Sequence, residues 1–386
     1  MSAAELSKQD LERVVRSLGN DALTAVRARA LEKFTARGFP TTRDEDWKYT
    51  DLAPVIDISE RWLAAPELPA PDEAGIRQVQ AAIDADWLVV ANGAISPELS
   101  TLQDVDGISV DALNASPESL RFPLADLNVA LLRDGATLRI DARFGGRKPI
   151  GLLFFDTTNG SAVTSQARID IDVAPNARAT LIEFHGSGGD GEHYANVHLN
   201  MTINDGASVD YLRLQQRDLA HSQTARMNVT LAKDASLHHS GIDLGGRMAR
   251  NDLQVDLDGK GASATFDGLY IAGNGQHLDN HTRVDHRVGP AVSRQEYRGI
   301  LGGRSRAVWN GKAIVHKGAD GTDAEQANHN LLLSDQAEID AKPELEIYAD
   351  EVKCAHGTTV GQLDEKALFY LRSRGIDRER ASRILT

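Results

Sequence analysis

The sequence predicts a mainly β protein, a parallel β-helix (β-solenoid) flanked by helical regions at its two ends. A short motif recurs through the middle of the chain at a near-constant spacing, and residues around each copy alternate between apolar and polar. Helical periodicity is confined to the two ends. We therefore expect an N-terminal helical region with a linker over residues 1–85, a β-helix core over 86–362 and a C-terminal helical segment over 363–386.

The recurring motif is a turn residue, an alanine and then a strand-like alternation. Its clear copies contain Ala177, Ala207, Ala235 and Ala262, which are 30, 28 and 27 residues apart, and weaker copies contain Ala136 and Ala337. A repeat of this length without helical periodicity indicates strand units that bury their apolar faces by stacking. A β-sandwich also has short alternating strands, but nothing in a sandwich requires a turn–alanine signature at a near-constant period.

The N-terminal region is predicted to be helical. Apolar residues over 9–37 recur at spacings of three to five, which indicates one or two helices with a shared apolar face. Gly19–Asp21 is the expected break and Gly38 the expected end. The charged run Pro40–Leu52 is predicted to be a surface loop anchored by Trp47 and Tyr49. Further along, residues 64–75 are predicted to form a linker and residues 86–91 a first strand.

Composition limits the classes of function. The net charge is −14, and the 386 residues include one cysteine. The acidic balance argues against general nucleic-acid binding and against an anionic membrane surface, and no apolar run approaches the ~20 residues of a membrane helix. A single cysteine excludes an internal disulfide framework, and the N-terminus has no secretory pattern. We therefore expect a cytoplasmic protein that binds neither nucleic acid nor membrane.

The one cysteine, Cys354, is followed two residues later by His356 in a strand-like segment. In a strand these side chains share a face, roughly 7 Å apart at their Cα atoms, so both can reach one metal ion or one reacting sulfur. A simpler interpretation is a half-buried strand in which Cys354 is a small hydrophobic residue and His356 a polar neighbour. Spacing alone favours the simpler interpretation.

Other candidate motifs carry weaker signals. Gly186–Gly191 matches Gly-x-Gly-x-x-Gly, but a strand-like pattern follows it, so we expect a loop and no nucleotide site. His277, His281 and His286 are close in sequence; on a strand the first two share a face and the third points away, which favours structural or interface histidines over a metal site. The chain has no Walker A sequence and no recognisable nucleophile elbow. A carbohydrate-active β-helix lyase or hydrolase is an alternative, against which the missing secretory pattern and the helical ends argue.

The C-terminal segment is predicted to hold two helices. Asp364 is a suitable N-cap for the first, and Gly375 is a suitable residue just beyond its end. Asp377 is expected to cap the second helix, which stops at Thr386 with its apolar face incomplete. We therefore expect either that the native chain is longer or that this end needs a partner.

Several of these segments resemble the SufB/SufD family of iron–sulfur cluster assembly proteins. The resembling parts are Arg43–Leu52, His277–His286 and nearly all of Tyr297–Ile376, which includes Asn328–Leu333, Lys342–Asp350, Lys353–Gly361 and Leu368–Gly375. The last part is long and specific. The resemblance implies a right-handed parallel β-helix between helical termini, in agreement with the repeat.

The resemblance also implies a function, a scaffold subunit of a SufB–SufC–SufD-type complex without catalytic activity of its own. Such a subunit pairs with SufB through the β-helices and docks the ATPase SufC through its C-terminal helices. The residues expected to dock SufC are Asp364, Leu368, Phe369, Leu371 and Ile376. In isolation, the surface built for a homologous partner predicts a homodimer; a structural homodimer without cluster chemistry is the remaining alternative.

The site that the resemblance implies is His356, at the interface with SufB, with Cys354 as a weaker candidate beside it. An iron–sulfur cluster usually has about four ligands, mostly thiolates. A chain with one cysteine therefore binds no cluster stably alone. We expect a transient cluster or iron ion shared with SufB, to which neutral His356 contributes a ligand.

Overall fold

The computed structural model describes residues 6–113, 122–146 and 148–386. Its helices are α1 (Lys8–Ser17), α2 (Thr24–Arg37), α3 (Ala53–Ala64), α4 (Glu73–Ala82), α5 (Pro123–Leu131), α6 (Glu365–Ser373) and α7 (Arg378–Leu385), with a 3-10 turn at Glu45–Trp47. Among the described residues, none of these helices combines the length and the apolar character that a membrane span requires.

The strands fill the middle of the chain. They are β1 (Asp86–Ala91), β2 (Ala94–Ile95), β3 (Ile108–Ala112), β4 (Ala136–Ile140), β5 (Ile150–Thr157), β6 (Val163–Val173), β7 (Arg178–Gly188), β8 (His193–Ile203), β9 (Ser208–Gln215), β10 (His221–Leu231), β11 (Ser236–Asp243), β12 (Met248–Leu257), β13 (Ser263–Ala272), β14 (His277–His286), β15 (Val292–Leu301), β16 (Arg306–Val315), β17 (Asp323–Leu332), β18 (Glu338–Ile347) and β19 (Lys353–Gln362).

The strands form two sheets that alternate along the chain. The first sheet has the order β19-β17-β15-β13-β11-β9-β7-β5-β1-β2 and the second β18-β16-β14-β12-β10-β8-β6-β4-β3. Pairing is parallel from β4 and β5 onward, and only the described pairs β1/β2 and β3/β4 are antiparallel. Each coil contributes one strand to each sheet, so the chain forms a β-solenoid of about eight turns. The predicted fold class is confirmed.

The repeated alanines mark the entry of the chain into the first sheet. Ala177, Ala207, Ala235 and Ala262 are fully buried and directly precede β7, β9, β11 and β13. A small side chain is needed there because consecutive coils stack on one another at this point. The two weaker copies do not extend this stack: Ala136 begins β4 and Ala337 precedes β18, both in the second sheet. Ala291, which precedes β15, continues the stack instead.

The helical region at the N-terminus holds more helix than the sequence predicted. The predicted break and end of the first helices are confirmed by α1 and α2. Helix α3 was not predicted, and α4 begins inside the predicted linker. Asp72 caps α4 by accepting a hydrogen bond from the Gly75 amide, 3.1 Å away, and Ile76 is fully buried. The sequence prediction missed this start because the prolines before Asp72 are typical of a linker. A capping side chain and a buried apolar residue nevertheless stabilise the short helix.

The interior of the solenoid is divided into an apolar half and a polar half. On β9, Val209 and Tyr211 face the apolar half, whereas Arg213 and Gln215 face the polar half. Arg213 donates to both carboxylate oxygens of Asp243 at 2.9 and 3.0 Å. Buried ion pairs of this kind satisfy their own charges but add little net stability. The apolar ladder therefore supplies most of the stabilisation.

Buried histidines make the stability of this interior dependent on pH. Burial lowers the pKa of His193 to about 4, of His221 to about 3 and of His239 to about 4. The unfolded chain protonates them near pH 6.5, so between about pH 6.5 and pH 4 it binds more protons than the folded chain. Stability is fully present above about pH 6.5 and falls at lower pH by up to about 1.4 kcal/mol per pH unit for each histidine.

Urea unfolding between about pH 5 and 7.5 checks this expectation. Two adjacent histidines on β11 provide a matched pair, since His239 is buried and His238 is on the exposed face of the same strand. His239→Gln is expected to reduce the pH slope by about one proton, whereas His238→Gln should leave the contribution of the buried histidines in place. A pH slope that His239→Gln leaves unchanged would contradict the expectation.

The glycine-rich segment Gly186–Gly191 connects two strands. It spans the end of β7 and the turn before β8, so no helix follows it, as predicted. Gly189 has φ 88°, and a Cβ atom there would lie 1.9 Å from the carbonyl oxygen of Thr158. The glycine is therefore required by the close approach of two backbones, and no phosphate site is needed to explain it.

Candidate functional site

Cys354 and His356 lie on β19, the strand that ends the first sheet. In the parallel register, Cys354 is opposite Ala324 and His356 is opposite Gln326, and both partners on β17 are buried. The two candidate residues therefore continue a row of side chains that faces the solenoid interior. The prediction that they share a face is confirmed. Cys354 is half-buried and His356 is exposed.

This row is uncovered because no further described coil follows. Strands β18 and β19 each terminate a sheet, so each has a neighbour on one side among the described strands. Residues of the preceding coil, such as Trp309, are fully buried, whereas Ile347 and Val360 of the last coil are 44% and 53% exposed. The last coil, residues 338–362, thus presents interior side chains and two unpaired strand edges. We call this surface the open end.

The chemistry of the two candidate residues differs. Burial raises the pKa of the Cys354 thiol, and the carboxylate of Asp323 raises it further, against the opposing effect of the Ala324 backbone hydrogen bond. Cys354 is therefore a thiol at neutral pH, neither an activated nucleophile nor a ready metal ligand. The His356 imidazole makes no hydrogen bond to the residues that the structure describes, so its ring nitrogens are available at the open end.

The C-terminal helices form a hairpin. The carboxylate of Asp364 accepts from the Lys366 amide at 2.8 Å and caps α6, and Asp377 accepts from the Arg380 amide at 2.9 Å and caps α7, as predicted. Leu368 is buried, so its side chain holds the hairpin together, while Leu371 and Ile376 are half-buried. Phe369 is 72% exposed and Tyr370 57%. Of the apolar residues predicted to dock a partner, Phe369 is the most accessible.

The charged run Arg43–Leu52 is a strap across the outer face of the second sheet. Trp47 is buried, and its ring lies 3.8 Å from the guanidinium carbon of Arg250 on β12. Arg250 also donates to the Asp46 carbonyl oxygen at 2.7 Å. The strap is therefore anchored by its tryptophan as predicted, and a buried arginine that the sequence did not single out holds it.

A hydrogen-bond chain fixes the next part of the strap. The Thr50 hydroxyl donates to Asp279 at 2.5 Å, so it can only accept from the Nε2 of His277, 2.8 Å away. Asp279 also accepts from Arg250 at 2.8 Å. Burial opposes ionisation of Asp279, but His281 and Arg250 beside it outweigh that effect and hold the pKa of this carboxyl well below its ordinary value. The ionised carboxylate is the centre of this junction.

The three clustered histidines take structural positions. His277 and His281 face outward on β14, and both contact residues that hold the strap. His277 contacts Thr50, and the Nε2 of His281 lies 3.0 Å from Asp279. His286 faces the interior, where its Nε2 is 2.9 Å from the Ser293 hydroxyl. Within the described part of the chain, no group of three or more histidine, cysteine or acidic side chains is arranged to hold a metal ion.

Comparisons with known proteins identify the family of this chain. Residues 155–386 match the family model described as SUF system FeS cluster assembly, SufBD core domain, and residues 6–117 match the SufBD protein N-terminal region. The iron–sulfur cluster assembly protein SufD of Escherichia coli is 31% identical over 92% of this chain and 84% of its own. A SufBD family protein of Synechocystis is 29% identical over 88% of this chain and 79% of its own.

A β-solenoid with these matches falls in the class of iron–sulfur cluster assembly proteins. The chain belongs to the SufBD family and is a homologue of SufD.

Proposed function

We propose that this chain is the SufD-type scaffold subunit of a cytoplasmic complex for iron–sulfur cluster assembly, in which it pairs with SufB at the open end and docks SufC through the α6–α7 hairpin. Family membership supports the process, and the geometry of the last coil supports the pairing. The observation that carries the proposal is that His356 lies on the interior row in the last described coil, where that row is uncovered.

The open end has the features of a surface that pairs with a homologous solenoid. Unpaired edges of β18 and β19 can accept another strand by backbone hydrogen bonding, and exposed edges are otherwise a hazard that proteins cover. Ile347, Tyr348 and Val360 are exposed apolar side chains at this end. A second solenoid placed end to end would pair both edges and bury these side chains together.

The chemistry at such a junction is shared between the two chains. The cluster is the cargo, and its usual thiolate ligands exceed the one cysteine of this chain. Cys354 is also protonated at neutral pH because burial raises its pKa. In this proposal His356 supplies an imidazole ligand, as histidine replaces cysteine in some clusters, and SufB supplies the thiolates.

Val360→Lys is expected to abolish binding of SufB while leaving the chain folded. A charge on an exposed side chain changes stability by no more than about 0.5 kcal/mol, but at the centre of an interface it must be desolvated. Leu219→Lys is the matched control, because Leu219 is 60% exposed in the turn before β10. Co-purification with SufB, followed by size exclusion, measures the effect; equal recovery of both variants would contradict the proposed surface.

In the absence of SufB, we propose that the same surface forms a homodimer. Val360→Lys should then convert the isolated chain to a monomer, and coexpressed SufB should displace the second copy of the parent chain. Light scattering of the isolated chain measures both. A dimer that persists in Val360→Lys would place the contact elsewhere.

Phe369→Ala is expected to weaken binding of SufC without loss of stability. Phe369 packs against little in the chain alone, so its ring is free to enter a partner, where a large aromatic side chain is a typical anchor worth about 2 kcal/mol or more. Ile271→Ala, an exposed apolar residue on β13, is the control. Titration calorimetry with SufC measures the loss; an affinity equal to that of the control would rule out Phe369 as an anchor.

A further inference from the structure

A cavity of about 280 Å³ lies between the strap and the outer face of the second sheet, and none of the functions above uses it. Its lining includes Lys48, Tyr49, Ser222, Arg247, His277 and Arg306. The strap supplies the first two side chains, and the remaining four come from β10, β14, β16 and the turn before β12. The cavity is therefore assembled from two parts of the chain that the buried Arg250–Asp279 network holds together.

The lining is electropositive in a protein whose net charge is −14. It contains three basic side chains and, among its described lining residues, one acidic side chain, Asp51. Arg247 contacts Glu192 at 3.3 Å, and Arg306 contacts Asp340 at 2.7 Å and Glu338 at 4.0 Å, all outside the lining. These pairs are partly exposed and therefore weak, so the two guanidinium groups retain donors for another anion.

Lys48 adds a charge that forms no close ion pair with the described carboxylates. Its ammonium lies 5.2 Å from the centre of the Tyr49 ring, and the residues that the structure describes offer it no ion pair within 4.0 Å. A cation that lines a cavity and makes no ion pair attracts anions. The strap thus brings an available positive charge to the cavity.

A buried hydroxyl points to the same kind of ligand independently. Ser222 lines the cavity and is fully buried, and its hydroxyl has no hydrogen-bond partner among the described residues. Buried polar groups almost always have partners, and an unpartnered one needs an explanation. A serine hydroxyl always carries one donor hydrogen, which an anionic oxygen in the cavity would accept.

We propose that this cavity binds a small molecule through a phosphate or carboxylate group, with Ser222 donating to the oxyanion and Lys48, Arg247 and Arg306 neutralising its charge. The volume lies just below the range of ordinary ligand pockets, so the ligand is small. Guanidinium and ammonium groups together with a hydroxyl form a typical oxyanion site. The site is separate from the open end, so its failure leaves the proposed pairing with SufB unaffected.

Titration calorimetry of the full-length chain with inorganic pyrophosphate and, separately, with citrate tests the proposal at low ionic strength. Binding of the first alone assigns a phosphate ligand, and binding of the second alone a carboxylate ligand. Ser222→Ala and Lys48→Gln are each expected to weaken binding about tenfold or more, because each removes one charge-assisted interaction. Lys233→Gln is the control, since Lys233 lies beyond the far end of β10, roughly 30 Å from Ser222.

Thermal unfolding without anion separates a binding role from a structural one. Ser222→Ala removes a hydroxyl that has no described partner, so it is expected to keep or raise the melting temperature while it weakens binding. Lys48→Gln is an exposed change that leaves the fold intact and keeps the test valid if the serine variant misfolds. The proposal is overturned if neither probe binds the parent chain, or if both variants bind as tightly as Lys233→Gln.

Discussion

Arg250→Met is expected to lower the free energy of unfolding by about 3–5 kcal/mol, the usual cost of breaking a buried ion pair from one side. Arg250 is almost completely buried and contacts Asp252 at 2.9 Å and Asp279 at 2.8 Å. Its removal leaves the fully buried Asp279 without its cation and Trp47 without its stacking partner. Urea unfolding near pH 7 measures the loss.

The control for this prediction is Arg298→Met. Arg298 pairs with Glu296, two residues away on β15 at 2.6 Å, as Arg250 pairs with Asp252, but both side chains are exposed. Exposed pairs contribute about 0–1 kcal/mol, so this variant should unfold nearly as the parent does. In Arg250→Met, amide exchange should also accelerate in residues 41–52, because the strap loses its anchor. A loss below about 1 kcal/mol would mean that the junction is not held as described.

His356→Ala is expected to reduce cluster formation on the complete complex at least about tenfold, the size of effect that even outer-shell partners of metal ligands produce. The chain itself should stay folded and should still bind SufB and SufC, because the exposed imidazole makes no hydrogen bond to the described residues. Ultraviolet–visible absorption after reconstitution with iron, sulfide and ATP measures the effect.

Thr359→Ala is the matched control on the same strand. Thr359 lies on the outward face of β19, where its hydroxyl is 2.8 Å from the Nδ1 of His329. Cys354→Ser should have a smaller effect than His356→Ala, since burial raises the pKa of the Cys354 thiol and disfavours the thiolate. Full activity of His356→Ala in the complete complex would refute its role, and a larger effect of Cys354→Ser would exchange the two assignments.

The solenoid was predictable because its physical requirement is local and repeated. Five consecutive coils place a buried alanine at the entry to the first sheet, and Ala177, Ala207, Ala235 and Ala262 are four of these. The assignment of Ala136 to the same stack was wrong, because a turn followed by alternating residues looks alike at both ends of a coil. Helix α4 escaped prediction because Asp72 and Ile76 act within a proline-rich context.

The candidate site was predictable only in part. The i, i+2 spacing places Cys354 and His356 on one face, but exposure of that face depends on β19 being the last described strand of its sheet, which spacing does not encode. The strap network was hidden because Arg250 lies 204 residues from the Asp46 carbonyl that it contacts. The burial of the Ser222 hydroxyl and the exposure of the Phe369 ring likewise depend on tertiary packing, which local sequence patterns do not report.

The most direct test of the open end as the interface uses the single cysteine as a reporter. Cys354 is half-buried in a single chain, so at protein concentrations low enough to dissociate the proposed homodimer a maleimide should modify it at a measurable rate, read by mass spectrometry of the peptide that contains it. At the same pH, addition of SufB should slow that modification at least about tenfold, because an end-to-end contact covers the row shared with His356. Complex formation with an unchanged modification rate of Cys354 would contradict the proposal that this end of the solenoid meets its partner.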